Sequence, residues 1–488
     1  MHAVQAITSL KAERLANAQS LDKHFYSTYK EVENLSRHIY DKYLTEQHCP
    51  KYYRLKKSIE CILLNLIHVN AIDPSRYVRF AMRSAPYTKS RYNSLPLSWR
   101  SLERIVRCFR IKGLIEFTPG IPNQDGFGKR GKQSRMRPTS LLLDLVSRFR
   151  VGPEMVMSLE DETILLKGAK DKDGRASLIG YRDGHKTRAM RQNLHRINSA
   201  LAESSIDIYV PDEGLCLLNE YMGRDRDRTP IDFGRKRLRR IFNNKSFEQG
   251  GRFYHGWWQE VPKDFRSYIT IDYNETIELD YSGIHFAIFY AEVGMEPPDD
   301  PYKLGGTSDR ERGIIKKALN AMINAPTEES ALRAIQQEAR GFDFPIQYPR
   351  SKQLIRGLKD RHSPIKHLIC TGAGLRAQLV DSRIAEHVLL TLIEQGITAL
   401  PVHDSFLVSA RYELELKQAM SGAFESIVKG ECGVDAKIPA WTKATLGFKP
   451  PNEVLTLKES ILAGEYRGYQ LRELSWQRHR NAKLLGSK

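Results

Sequence analysis

The chain has 488 residues, with 76 Lys and Arg against 58 Asp and Glu, a formal surplus of +18. Its 41% apolar and 9% aromatic residues can build real cores, which excludes wholesale disorder. No run approaches about 18 consecutive apolar residues, which excludes a membrane-spanning helix. The length suits roughly two to four domains. The basic surplus points to a polyanion, nucleic acid first, because neutralised phosphates release their counterions. Six dispersed cysteines (Cys49, Cys61, Cys108, Cys216, Cys370, Cys432) form no CxxC pair. A disulfide framework or zinc ribbon is therefore not expected. The N-terminus has no basic region followed by an apolar run, and a reducing, cytoplasmic location is expected.

In chain order, residues 1–85 read as helical. Apolar positions recur at three and four spacings over Leu21–Tyr43 and Tyr53–Val69. The next helix opens with Ser98 as its cap. Leu102, Ile105, Val106 and Phe109 form its apolar stripe, and Gly113 sits where a C-terminal cap belongs. A short strand at Leu114–Phe117 follows, then a glycine-rich basic loop from Pro119 to Arg137, then an apolar run at Ser140–Leu143 read as a second strand. Helix, strand, basic loop, strand is the order of a winged helix, which this segment resembles. Lys129, Arg130, Arg135 and Arg137 are its expected phosphate contacts.

Residues 151–250 read as a hairpin, Glu162–Lys167 with Ala176–Tyr181 around a turn at Lys170–Gly174, and then a helix from Arg188 to Leu201. Between Arg224 and Arg252, ten basic residues face four acidic ones. A charge run of this kind is usually a solvated face. This one leads directly into the segments that carry the chemistry.

The run Ile277-Glu278-Leu279-Asp280 reads as a strand ending on a carboxylate. A helix follows, with Ser282 near its start and Gly294 near its end. Leu375–Gln395 reads as a long amphipathic helix. Ala399–Ser409 then reads as two short strands joined by a tight turn at His403-Asp404-Ser405, so a second carboxylate sits at a hairpin tip. Two rigid carboxylates suit two Mg²⁺ ions, with Mn²⁺ as a substitute, because magnesium takes a few carboxylates plus substrate phosphates. Such ions clamp the attacking and leaving oxygens of a phosphoryl transfer. Between the two, Arg312, Lys316 and Asn320 are four apart and share one helix face. Their cations suit a triphosphate.

In this order the segments resemble the palm and fingers of A-family DNA polymerases and of the single-subunit RNA polymerases of phages and mitochondria. Asp280-Tyr281-Ser282 resembles motif A, Arg312 with Lys316 motif B, and Val402-His403-Asp404 motif C. Gly250-Gly251-Arg252 resembles the element that touches template and primer. Trp258-Gln259-Glu260-Val261-Pro262 with Arg266 resembles the stretch that precedes motif A. Gln378-Leu379-Val380-Asp381-Ser382 resembles the segment leading into motif C. The resemblance spans about residues 240 to 450.

It implies an α+β right-hand fold: a palm with small fingers, after a helical and winged-helix-like N-terminal region. The implied divisions are 1–150 for nucleic-acid binding, 151–250 as a thumb-like or connecting region, 251–450 as palm and fingers, and 451–488 as a basic tail. Asp280 and Asp404, with the backbone carbonyl of Tyr281, are the implied metal ligands. Arg312, Lys316, Asn320, Asn324 and His285 are implied to bind nucleotide. Arg252, Gln259, Arg266, Gln378, Asp381 and His403 are implied to bind template and primer.

Two departures concern the sugar. His285 stands where the DNA enzymes carry a glutamate, and Asn324 stands in place of the usual aromatic of motif B. Ser405 after Asp404 matches the RNA form. The expectation is a template-directed nucleotidyltransferase acting on DNA and nucleoside triphosphates, away from membranes, with DNA synthesis favoured over RNA. The alternatives are a single-subunit RNA polymerase or primase-like enzyme, a winged-helix DNA-binding protein with an inactive palm, and a metal-dependent nuclease on the same carboxylates.

Overall fold

The computed structural model describes residues 18–486 except 46–49, 73, 84–86, 88–89, 93–96, 121–132, 159–161, 172–173, 175, 224–230, 305–308, 340–347 and 444–463. Lys129 and Arg130 lie outside the described residues. The described chain is mixed α+β and divides into two compact units. The first comprises Met1–Glu162, Leu215–Asp232 and Leu471–Lys488, and the second Thr163–Gly214 and Phe233–Gln470. Among the described residues, no helix is long and apolar enough to cross a membrane.

In the first unit the main elements include β1 (Ala18–Ser20), α1 (Lys30–Ile39), α2 (Tyr52–Ile72), β2 (Tyr77–Phe80), α3 (Trp99–Ile111), β3 (Ile115–Thr118), β4 (Ser134–Pro138) and α4 (Ser140–Arg148), beside a short strand pair of Phe25–Tyr26 with Met157–Ser158. Helix α2 is the core. Leu55, Ile59, Ile62, Leu63, Leu64 and Leu66 on several of its faces are all fully buried, as expected of a helix enclosed by other elements. Helix α3 begins as its sequence predicts. Ser98 Oγ accepts the N–H of Ser101 at 3.3 Å, and Gly113 adopts φ +71° just past the end. The sheet runs β1-β2-β4-β3, with β1 parallel to β2 and the other pairs antiparallel.

Three sequence readings are corrected here. The Ser140–Leu143 run is not a strand but the start of α4, because Leu142, Leu145 and Val146 form a buried helical stripe. The second strand is Ser134–Pro138, which places Arg135 and Arg137 on a sheet and not in a loop. Residues 1–85 contain strands β1 and β2 beside their helices.

The second unit holds β5 (Ile164–Leu166), α5 (His185–Glu203), β6 (Ile206–Ile208), β7 (Arg239–Phe242), β8 (Gly250–Tyr254), β9 (Ile269–Ile271), β10 (Asn274–Tyr281), α6 (Ile284–Glu292), α7 (Asp309–Asn324), α8 (Glu328–Ala339), α9 (Tyr348–Arg361), α10 (Gly374–Glu394), β11 (Leu400–Val402), β12 (Ser405–Ser409), α11 (Glu413–Cys432) and β13 (Trp441–Lys443). One sheet runs β11-β12-β10-β9-β6, with β13 also on β10. A smaller sheet runs β8-β7-β5. The arms of the predicted Glu162–Tyr181 hairpin meet only briefly, at an antiparallel bridge between Lys167 and Leu178 with the Gly168–Ser177 and Ile179–Leu166 backbone bonds beside it, and the main partner of β5 is the parallel strand β7. The pattern Ile164, Leu165, Leu166 is apolar on both faces and suits a strand covered on both sides. Helices α7, α8 and α9 share a second core of Ile315, Leu319, Ala331, Ile335, Leu354 and Leu358.

Candidate active site: two carboxylates at adjoining strand ends

Strand β10 carries Asp280 and runs antiparallel to β12, with Asp280 opposite Ser405. The β11–β12 turn holds His403 in a left-handed conformation, φ +63°, and presents Asp404 beside the end of β10. The Tyr281 N–H reaches the Asp404 carbonyl at 3.4 Å. Adjacent strands lie about 4.8 Å apart, so the two carboxylates are neighbours by register. Both remain partly open to solvent, with side chains 30% and 33% exposed. Gly283, φ +73°, turns the chain from β10 into α6. A left-handed residue there favours glycine.

The electrostatics match the geometry. Burial pushes the Asp280 carboxyl up to about 6, and the neighbouring Asp404 pushes in the same direction. Lys263 and Lys316 pull the other way. Lys263 Nζ lies 3.7 Å from Asp280 Oδ2, a contact that sequence spacing gave no reason to expect. Two residues back on the same face, buried Glu278 accepts from Arg266 Nη1 at 2.5 Å and from Ser405 Oγ at 2.7 Å. This bridge ties β10 to β12 and to the segment before β9. Arg266 is therefore engaged inside the unit.

Asp280 and Asp404 are hard oxygen donors whose mutual repulsion a dication would relieve, so they fit magnesium. Among the described residues, no group of three or more His, Cys, Asp and Glu side chains forms a closed cage. Magnesium bound through substrate phosphates and water needs none.

Helix α7 exposes Arg312, Lys316, Asn320 and Asn324 along one face and buries Ile315, Leu319 and Ile323 on the other. Arg312 Nε lies 3.2 Å from Asp300 Oδ2, and its guanidinium lies over the Tyr302 ring at 5.2 Å. Lys316 Nζ lies over the same ring at 5.8 Å. Asn324 Nδ2 donates to the Asn320 carbonyl at 2.9 Å. A cavity of about 490 Å³ lies beside this face, lined among others by Lys317, Asn320, Asn324 and Ser330.

Behind Asp404, β8 lies against α10. Gly251, φ +86°, makes the approach possible. A Cβ there would come within 2.8 Å of Phe242 and 2.9 Å of Ser382 Oγ. Fully buried Arg240 donates to the Gly251 carbonyl at 2.8 Å, to Glu386 at 2.9 Å and to Ser382 Oγ at 3.0 Å. Arg252 from β8 pairs with Asp381 from α10, and His285 Nε2 reaches Asp381 Oδ2 at 2.7 Å. Burial works against the Asp381 anion, but Arg252 and then His285 hold its carboxyl below the usual carboxylate range. Gln378 lies one turn before Asp381 and is half-buried.

Gln259 Nε2 donates to the carbonyls of Phe253 and Pro401, both at 3.0 Å, and the Trp258 indole donates to Pro401 at 3.1 Å. These bonds brace the β11 end of the hairpin. The His403 ring lies 5.4 Å from the Tyr254 ring, and burial, then Arg252, keep it towards its neutral form. The Tyr281 hydroxyl donates to the Met420 carbonyl at 2.6 Å. The structure thus brings Asp280, Asp404, Arg252, Asp381, His285 and His403 into one neighbourhood. Arg135 and Arg137 belong to the first unit.

No known family model matches this chain, and no curated protein matches it. Among solved structures it is similar to the POL domain of Pol1 from M. smegmatis in complex with DNA primer-template and dNTP. The match has 15% identity and a TM-score of 0.25, and covers 47% of this chain and 49% of that one. It therefore spans about half the length of that structure, and a likeness of this degree assigns no activity.

Proposed function

We propose that this chain is a template-directed nucleotidyltransferase that joins the α-phosphorus of a nucleoside triphosphate to a strand's 3′-oxygen and releases pyrophosphate. The observation that carries the reading is the register of β10 with β12. It sets Asp280 and Asp404 side by side, with Lys316 close enough to act on the charge of Asp280. When bound there, Mg²⁺ would supply charge neutralisation at the entering and leaving oxygens. Asp280 and Asp404 would hold it, with the Tyr281 carbonyl as a further oxygen and Mn²⁺ as a substitute.

The exposed face of α7 would hold the triphosphate. Arg312 and Lys316 would offset the charge that grows on the leaving pyrophosphate, and Asn320 and Asn324 would line its approach. Arg252, Gln259, Arg266, Gln378 and His403 would shape or border the template and primer path. Gln259 and Arg266 would act through the backbone and carboxylate they brace. In this reading the second unit is a polymerase palm with small fingers. The α3–β3–β4 part of the first unit is a winged-helix-like module that holds DNA through Arg137, whereas Arg135, expected as a second phosphate contact, is buried. DNA is favoured over RNA as product, with His285 and Asn324 near the sugar.

The test is primer extension with Mg²⁺, comparing dNTPs with NTPs. The reading expects extension with dNTPs, and loss of Lys316 as Lys316→Ala should weaken nucleotide use by about tenfold to a hundredfold while leaving template affinity nearly unchanged. Template cleavage in place of extension would favour the nuclease. Extension with NTPs alone would make it an RNA polymerase.

A further inference from the structure

The resemblance implied that Asp381 lies on the template path, yet its side chain is 1% exposed, too deep to touch a nucleic acid. Its partner is Arg252. Arg252 Nε donates to both Asp381 oxygens, at 3.1 and 2.9 Å, and Nη2 makes a close ion pair with Oδ2. His285 Nε2 reaches that same Oδ2 at 2.7 Å and lies 3.1 Å from Arg252 Nη2. Nη2 also lies 3.9 Å from Asp404 Oδ1. One guanidinium nitrogen is therefore shared between a buried carboxylate and a partly open one.

The Arg252 side chain is 14% exposed, so its charge needs a carboxylate partner. While Asp381 supplies it, Arg252 stays beyond hydrogen-bond distance of Asp404. The Asp404 oxygens then remain available to another cation. If Asp381 lost its charge, Asp404 would be the carboxylate left within reach. Arg252 would close on it and occupy the position that a metal needs.

We propose that Asp381, steadied by His285, is a positioning residue that holds Arg252 back from Asp404 and so sets the divalent-cation affinity of the Asp280–Asp404 pair. This rests on the reading of those two carboxylates as a metal site. It differs from a ribose gate at His285, because it acts before any nucleotide binds.

The experiment titrates the full chain with Mn²⁺, without nucleotide or DNA, and follows free Mn²⁺ by electron paramagnetic resonance. Thermal melts verify folding. Asp381→Asn is expected to weaken Mn²⁺ binding on the order of tenfold, the usual effect of losing a group that orients a ligand. Adding Arg252→Gln to that variant should restore affinity, because the cation that closes on Asp404 is gone. A merely structural role for Asp381 predicts no such rescue. A folded Asp381→Asn protein with unchanged affinity, or a double variant as weak as the single one, overturns the proposal. If Asp381→Asn does not fold, His285→Gln carries the test. Weakened Mn²⁺ binding supports the proposal, whereas unchanged binding with an altered dNTP-to-NTP ratio replaces it with the gate. Failure of the underlying reading looks different: Mn²⁺ binding by the wild type would be indifferent to Asp404→Asn.

Discussion

Arg79 and Arg137 of the first unit and Arg240 and Arg252 of the second use their charge in opposite ways. On one face of the first unit's sheet, at alternate positions of β2 and β4, Arg79 is exposed and Arg137 half-buried, while Arg135 opposite Arg79 is buried. Arg137 pairs with exposed Glu116 at 2.7 Å and covers the Tyr77 ring at 5.1 Å, and Arg79 donates to Ser20 at 2.8 Å. Arg135 Nε and Nη1 are buried with no hydrogen-bond partner among the described residues. In the second unit, Arg240 is buried and Arg252 half-buried, and both are bonded to carboxylates, Arg240 also to backbone. Charges on an open face cost little to keep and remain available to phosphates. Buried charges that are held by partners, as Arg240 and Arg252 are, fix the positions of the strands that carry them. The surplus of +18 thus combines two kinds of residue. The buried kind frames the carboxylates.

The comparison is sharpest at Arg240. Replacing it by alanine leaves Glu386, Ser382 and the Gly251 carbonyl without their donor and should cost about 3–5 kcal/mol in urea unfolding. Arg137→Ala should cost under about 1 kcal/mol. Equal losses would break the distinction between framing and surface arginines.

A smaller effect concerns Asp280. Its folded carboxyl is raised to about 6 from an ordinary 3.8, so the folded chain holds its proton more tightly than the unfolded chain does. The contribution is therefore fully present below about pH 4 and is lost as pH rises through about 6. Without metal, wild type should lose about 2 kcal/mol relative to Asp280→Asn over that range, after allowance for screening at a carboxylate still 30% exposed. Parallel pH profiles for the two proteins would show that Asp280 is not strained by its neighbours. Millimolar Mg²⁺ at pH 7.5 should recover part of the loss in wild type alone.

The smallest effect tests the open face. Arg79→Ala with Arg137→Ala should leave the melting temperature nearly unchanged while lowering the salt dependence of duplex binding, by about 0.9 in the log–log slope for each phosphate no longer neutralised. An unchanged slope would remove this face from any DNA footprint.

The same contrast explains what the sequence made legible. Local signals read well: the Ser98 cap, Gly113 after α3, and the turn that presents Asp404 each depend on a few adjacent residues. The Ser140–Leu143 run misled, because four apolar residues fit a strand as well as a helix, and tertiary packing chose α4. The supports of the site were not legible. Arg240 meets Glu386 across 146 residues and Arg252 meets Asp381 across 129. No periodicity encodes such pairs. Nothing in the sequence singled out Lys263 or the role of Glu278; the fold sets one beside Asp280 and bonds the other to Ser405.

The central claim is that Asp280 and Asp404 form one metal-dependent centre for nucleotide addition. The most direct measurement is single-turnover primer extension with Mg²⁺ and saturating nucleotide, comparing wild type with Asp404→Asn at matched folding. The account predicts extension by wild type and a rate lower by at least about a thousandfold in the variant, roughly 4 kcal/mol of lost transition-state stabilisation. Extension by Asp404→Asn at near the wild-type rate would contradict it.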